Sequence, residues 1–150
     1  MKKIQQIESK ATFVVRHPVL RNGKPVETCC FEGDDLSTTT HFGLFFDEKI
    51  VGVVSVFESV NSIFEAEQQI QIRGMAILPE FQKKGFGTDL MKHCETYYSG
   101  KNEVLIWFNA RDNAVPFYEK LGYSKVGAAF DIPEIGIHYI MKKELTSAYE

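Results

Sequence analysis

Two stretches of this chain have residue types and spacing suited to chemistry. The first is QKKGFG, residues 82–87, inside the longer run GMAILPEFQKKGFGTDLMKHC. An apolar run ends at Pro79, a basic, glycine-punctuated hexapeptide follows, and amphipathic spacing begins at once. A strand, a glycine turn and a helix start packed this closely suit an anion held by backbone N–H groups at the positive end of a helix. Gly85 and Gly87 permit backbone conformations and a close approach that a Cβ forbids. Lys83 and Lys84 add long-range attraction for a polyanion. The second stretch is ETCCFEGDD, residues 27–35, which with His41 places Glu27, Glu32 and Asp34 in a loop where carboxylates could meet a cationic substrate.

Three anions suit a loop of this kind. A nucleoside triphosphate site calls for G-x-x-x-x-G-K-[ST], and no lysine follows Gly87. A dinucleotide fold calls for G-x-G-x-x-G, and the third glycine is missing. The pyrophosphate of coenzyme A is the reading that remains.

The elements that must position these residues follow from periodicity. Residues 4–8 read as a first strand and 11–20 as a short helix, with Val14, Val15 and Leu20 as its apolar positions and Pro18 as a weak point. Residues 21–40 are rich in Gly, Pro, Asp, Ser and Thr and read as a long loop, a length that often signals function. Residues 42–46 and 50–57 form a hairpin about the polar turn 47–49. Residues 68–78 read as a strand with Ile70 and Ile72 on one face and Gln69, Gln71 and Arg73 on the other, interrupted at Gly74. Helical spacing over 88–99 aligns Leu90, Met91, Cys94, Tyr97 and Tyr98. Residues 104–108 read as a strand buried on both faces. A helix follows with Ala114, Phe117, Tyr118 and Leu121 on one face and Gly122 as terminator, and residues 125–130 and 138–143 are closing strands. Alternating strands and helices after a hairpin predict an α/β chain, a mixed sheet flanked by helices.

Composition bounds the rest. The 150 residues, 44 % hydrophobic and 25 % charged, suit one domain over 1–150. A net charge of −3 argues against a nucleic-acid partner. No apolar run is long enough to span a bilayer, no secretory signal is evident, and a cytoplasmic location is expected. The three cysteines do not form a disulfide pattern, and Cys29, Cys30, His17 and His41 lack metal-ligand spacing, so no metal is expected.

The run ILPEFQKKGFGTDLMKHCETYY resembles the acetyl-CoA loop of the GNAT N-acetyltransferase superfamily, with signature [QR]-x-x-G-x-[GA]. Downstream, NARDNAVPFYEKLGYSKVG resembles that family's F-Y-x-x-x-G-[FY] marker, and IGIHYIMKKEL resembles the closing strand of a small bacterial branch that carries a histidine there. The resemblance covers roughly residues 68–145 in the family's order. It implies a GNAT fold, a mostly antiparallel sheet with a splayed parallel strand pair, and acetyl-CoA as co-substrate.

It further implies that the Met75 N–H acts as an oxyanion donor, and that Ala76 and Ile77 meet the pantetheine arm. The pyrophosphate then falls to Gln82, Lys83, Lys84, Gly85, Phe86, Gly87 and Thr88, and Tyr118 protonates the leaving thiolate. By resemblance His138 is a candidate base, beside Glu27, Glu32, Asp34 and His41 in the substrate loop, and Asn109 a pantetheine or substrate contact. Phe31, Phe42, Phe45 and Phe57 are either acceptor-pocket walls or core. Two departures stand out: Gln71 occupies the position of a catalytic glutamate, and Arg111 that of an asparagine. The implied activity is acetyl transfer from acetyl-CoA to a primary amine, on a small molecule or an exposed amino group, by direct attack in a ternary complex. Its competitors are a non-catalytic acyl-CoA-binding module and a nucleotide-binding regulatory domain. A homodimer is compatible with the resemblance.

Overall fold

The computed structural model describes residues 1–99 and 103–145. The chain packs as two compact units, Met1–Glu58 with Ile72–Tyr97, and Ser59–Gln71 with Tyr98–Glu150.

In the first unit β1 (Lys2–Ile7) lies antiparallel to β2 (Thr40–Phe46), and β2 to β3 (Lys49–Phe57). The β2–β3 turn holds Asp47 and Glu48 at φ 48° and 71°. That handedness matches the twist of paired strands. Between β1 and β2 come a 3₁₀ turn, Ser9–Thr12, helix α1 (Phe13–Leu20) and a second 3₁₀ turn, Val26–Cys29. Helix α1 buries Val15 and Arg16 beside Thr12, while Val14, expected on the apolar face, is 58 % exposed. The helix has rotated to put a charge inside.

Strand β4 (Gln69–Ile77) enters this unit at Ile72, and its end is tied to β3 by the Leu78 N–H, which donates to the Val51 carbonyl at 2.8 Å. Helix α2 (Phe86–Tyr98) begins two residues before the expected start and buries Phe86, Leu90, Met91 and Cys94. It covers the β3 face that carries Gly52, where a Cβ would lie 2.6 Å from Ile77 Cδ1 and 3.2 Å from Leu90 Cδ1. Ser55, three residues on, faces the opposite side and meets Arg16 of α1. The two helices therefore cover opposite faces of the strands.

In the second unit the first residues of β4 run parallel to β5 (Val104–Arg111), with Gln69, Ile70 and Gln71 opposite Leu105, Ile106 and Trp107. Strand β7 (Gly136–Leu145) is antiparallel to β5, and β6 (Ser124–Ile132) to β7. Gln69, expected on a polar outer face, is buried, and its amide is satisfied by Asn61 and Ala66. Helix α3 (Val115–Lys120) is short and turns Val115 inward, leaving Phe117, expected on the buried face, 37 % exposed. The hydrogen-bonded order is β1-β2-β3-β4-β5-β7-β6, one mixed sheet with β4 and β5 parallel, flanked by helices as the sequence predicts. Among the described residues no helix is long and apolar enough to cross a membrane.

Gly52→Val should overfill the contact of α2 with β3 and lower stability by about 1–3 kcal/mol, read as a lower urea midpoint at unchanged slope.

Candidate active site

The anion loop is built in the first unit. A 3₁₀ turn, Pro79–Phe81, follows β4, and the Gln82 side chain reaches back to the Ile77 carbonyl at 2.9 Å. Lys83 and Gly85 then adopt φ 63° and 84°. The Gly85 carbonyl accepts the Asp89 N–H at 3.0 Å, so Gly85 caps α2. Phe86, Gly87 and Thr88 are therefore first-turn residues, whose N–H groups have no carbonyl within the helix. The N–H groups of Lys83, Lys84 and Gly85 also donate to no backbone carbonyl among the described residues. Six consecutive N–H groups are thus available to an anion, at the positive end of a thirteen-residue helix. Phe86 is buried against Phe46 and Phe81, so it offers backbone only, while the Lys83 and Lys84 side chains are exposed.

Upstream, Gly74 sits at φ 68° within β4, just before half-buried Met75. A Cβ on Gly74 would lie 3.0 Å from the Phe31 ring and 3.3 Å from Arg16 Nε. The positive φ and the close approach both require glycine.

Two of the expected substrate residues are not at the surface. Asp34 is buried and accepts from Arg16 Nη1 at 2.6 Å and Nη2 at 3.1 Å, and its second oxygen also accepts the Phe31 N–H. Arg16, with no exposed surface, further donates to the Cys29 carbonyl and to Ser55 Oγ. Buried His41 contacts Ser55 Oγ through Nδ1 and the Asp34 carbonyl through Nε2. Asp34 and His41 thus belong to a core network, because a buried guanidinium must be neutralised where it sits. Glu27 and Glu32 remain exposed.

The sequence reading missed the arginines. Arg16, Arg21 and Arg73 lie 3.9, 5.1 and 5.2 Å from the Phe31 ring centroid. Burial pulls the Arg73 guanidinium below its ordinary pKa, with Asp34 and Glu32 opposing and Arg16 and Arg21 reinforcing the fall. The available signal was the spacing of Thr12, Val15 and Arg16 on one helical face. Of the aromatic residues weighed as pocket walls, Phe42 is core and Phe45 half-buried, while Phe31 and Phe57 carry the arginines.

In the second unit half-buried Tyr118 packs on Phe108, Phe117 and Tyr123, with ring centroids at 4.4, 5.0 and 6.2 Å. Burial pushes its phenol up to about 12. Asn109 is exposed and points to the other face of β5 from Phe108, so the structure does not bring Asn109 and Tyr118 onto one face. Arg111 is also exposed and pairs across the ladder with His138, which is buried, with Nδ1 2.8 Å from the Gly136 carbonyl. Gln71 is half-buried within the parallel ladder. A cavity of about 490 Å³ beside Glu67, Glu103 and Leu145 lies at the opposite end of β5 from Asn109. Ligands of such sheets bind at the carboxyl ends of the strands, which sets that cavity apart from the chemistry.

A family model for the acetyltransferase (GNAT) family matches residues 2–123. The chain belongs to the GNAT acetyltransferase family. It is 30 % identical over 148 residues to the uncharacterized N-acetyltransferase YitI of Bacillus subtilis, covering 99 % of each chain. Its fold is similar to that of the ribosomal-protein-S18-alanine N-acetyltransferase of Escherichia coli, with TM-score 0.76, 18 % identity and coverage of 99 % and 96 %. It is also similar to an aminoglycoside 6′-N-acetyltransferase complexed with coenzyme A, with TM-score 0.71, 13 % identity and coverage of 95 % and 96 %. Within a GNAT chain, the free N–H groups of residues 83–88 are suited to the pyrophosphate of coenzyme A.

Asp34→Asn should leave the Arg16 charge uncompensated and cost about 3–5 kcal/mol of stability in chemical denaturation. The phenol of Tyr118 gives a second expectation. Its folded pKa lies above the unfolded value, so its contribution to stability is present below about pH 10 and lost as pH rises toward 12. In a titration followed at 295 nm, the phenolate signal absent from Tyr118→Phe should emerge near pH 12; emergence near 10 would contradict the burial argument.

Proposed function

We propose that this chain transfers an acetyl group from acetyl-CoA to a primary amine by direct attack in a ternary complex. The observation that supports it most is the run of unspent backbone donors from Lys83 to Thr88 in a member of this family. Those N–H groups would hold the pyrophosphate, and the exposed Lys83 and Lys84 would draw in the polyanion. The carbonyl of Ile77 is engaged by Gln82, so its part in holding pantetheine falls to its N–H, with Ala76 beside it. The Met75 N–H, next to the positive-φ Gly74, would stabilise the tetrahedral oxyanion, an effect worth about 3 kcal/mol in comparable sites.

In the reaction the amine nitrogen bonds to the acetyl carbon, the carbon–sulfur bond breaks, and the thiolate takes a proton from Tyr118. Burial keeps that phenol protonated, and a thiolate arriving beside it is destabilised by the same desolvation, which keeps the two acidities close. The amine proton would pass to His138. Its Nδ1 faces the Gly136 carbonyl, which leaves Nε2 as the nitrogen to take that proton. Direct transfer suits two of the three thiols, Cys29 and Cys94, which are buried with both pKa values pushed up by burial; Cys30 is exposed. The exposed Glu27 and Glu32 are the loop carboxylates left to meet an ammonium group. The acceptors named for the similar structures, a ribosomal-protein alanine and an aminoglycoside, span protein and small-molecule amines.

Gln71 at the family's glutamate position favours a second reading, a module that binds acyl-CoA without turnover. Calorimetric titration with acetyl-CoA, with ATP and NAD as controls, tests the cradle, and release of free thiol separates enzyme from module. Tyr118→Phe should lower kcat by about thirtyfold or more while leaving the acetyl-CoA Kd within about twofold. A fall in kcat of less than about threefold would remove Tyr118 from the mechanism.

A further inference from the structure

Three guanidinium groups surround one aromatic ring in the first unit, and their charges are only partly answered. Asp34 answers Arg16 with both oxygens. Arg21 donates to the Thr28 and Leu20 carbonyls, which are neutral acceptors. Arg73 stacks on Phe31 and Phe57 and has no hydrogen-bond or ion-pair partner among the described residues. The charges that act on Arg73 are those of Arg16, Arg21, Asp34 and Glu32. Three arginines against two carboxylates leave one net positive charge.

A second observation concerns a donor. Arg16 Nε is a fully buried N–H with no partner, beside Gly74, which places no side chain over it. A guanidinium donor left unpaired in this way is costly, and one partial remedy is an anion bound against the cluster. Arg21 and Arg73 are half-buried, so a solute can reach them. Arg73 has edges suited to a planar, bidentate anion, Arg21 keeps Nη2 to donate beside it, and the single uncompensated charge suits a monoanion better than a dianion.

We propose that Arg73 and Arg21, stacked on Phe31, hold a carboxylate of the acceptor, so that the amine acetylated belongs to an amino acid or a similar amino-carboxylic acid. This rests on the acetyltransferase reading of the site. Arg73 is two residues from Met75, a span of at most about 7 Å, within the reach of an amino acid whose amine attacks an acetyl group held at the Met75 N–H. It also adds an anion contact beside the loop, where one of the three carboxylates expected to meet a cation, Asp34, is consumed by Arg16.

The test uses the whole chain and matched amine pairs in a thiol-release assay: phenylalanine against phenylalaninamide, glycine against glycinamide, with O-phosphoethanolamine as a phosphate arm. Acids should exceed their amides in kcat/KM by about thirtyfold, and Arg73→Gln should raise KM for the acids by a similar factor. The same variant should leave the acetyl-CoA Kd and the melting temperature near wild type, and Arg73→Lys should restore part of the preference. Equal use of amides, preference for phosphoethanolamine, or an acid preference that survives Arg73→Gln would overturn the proposal. Saturation-transfer NMR with N-acetylglycine and N-acetylglycinamide needs no acetyl-CoA. Arg73-dependent binding of the acid in a chain that fails to bind acetyl-CoA would uphold the anion site and reject the acetyltransferase reading. Acetyl-CoA binding without discrimination between acid and amide would do the reverse.

Discussion

A guanidinium with no exposed surface sets the terms for the first half of this chain. Moving a charge from water into a protein interior costs several kcal/mol, and only a partner of opposite sign with good geometry offsets it. Arg16 obtains that partner from Asp34, eighteen residues away, and the carbonyl of Cys29 and the hydroxyl of Ser55 take further donors. Asp34 in turn accepts the Phe31 N–H, and Thr39 Oγ1 closes on the Gly33 carbonyl. A long stretch with little regular structure is thereby fixed at several points against α1 and β3. Its order comes from side chains rather than from a ladder.

The same ion pair reaches the chemistry through β4. Phe31 lies flat on Arg16, and the pair presses against Gly74, where a side chain would collide. The strand takes a positive φ there, as glycine readily can. A few residues on come Pro79, the returning Gln82 and the capping Gly85. A glycine of positive φ within β4 and a glycine at the start of α2 therefore sit at the two ends of one short segment, and the second leaves backbone donors without a carbonyl.

Much of this was readable from local sequence. The hairpin, the interruption at Gly74 and the amphipathic α2 each follow from residues within a few positions of one another, where hydrophobic period and glycine decide the outcome. The glycine turn and helix start at residues 82–88 were legible for the same reason, since backbone donors at a helix start depend on local conformation alone. Errors fell where burial overrode local character. Val14 reads as core and is exposed because Arg16 takes the inward position. Gln69 reads as a polar surface residue and is buried because the segment 61–66 supplies partners for its amide. Phe117 reads as inward and is outside because a six-residue helix can turn only Val115 fully toward the core.

By itself the sequence determined the order of strands and helices and the glycine turn that opens α2, because period, proline and glycine act over short distances; the parallel pairing of β4 with β5 was implied only by the family resemblance. The tertiary structure alone decided which charges are available. Asp34, Glu27 and Glu32 are alike in a loop until a distant arginine consumes one of them, and Arg16, Arg21 and Arg73 are scattered until Phe31 gathers them. Electrostatic pairing acts through space between residues far apart in the chain, so no local pattern records it.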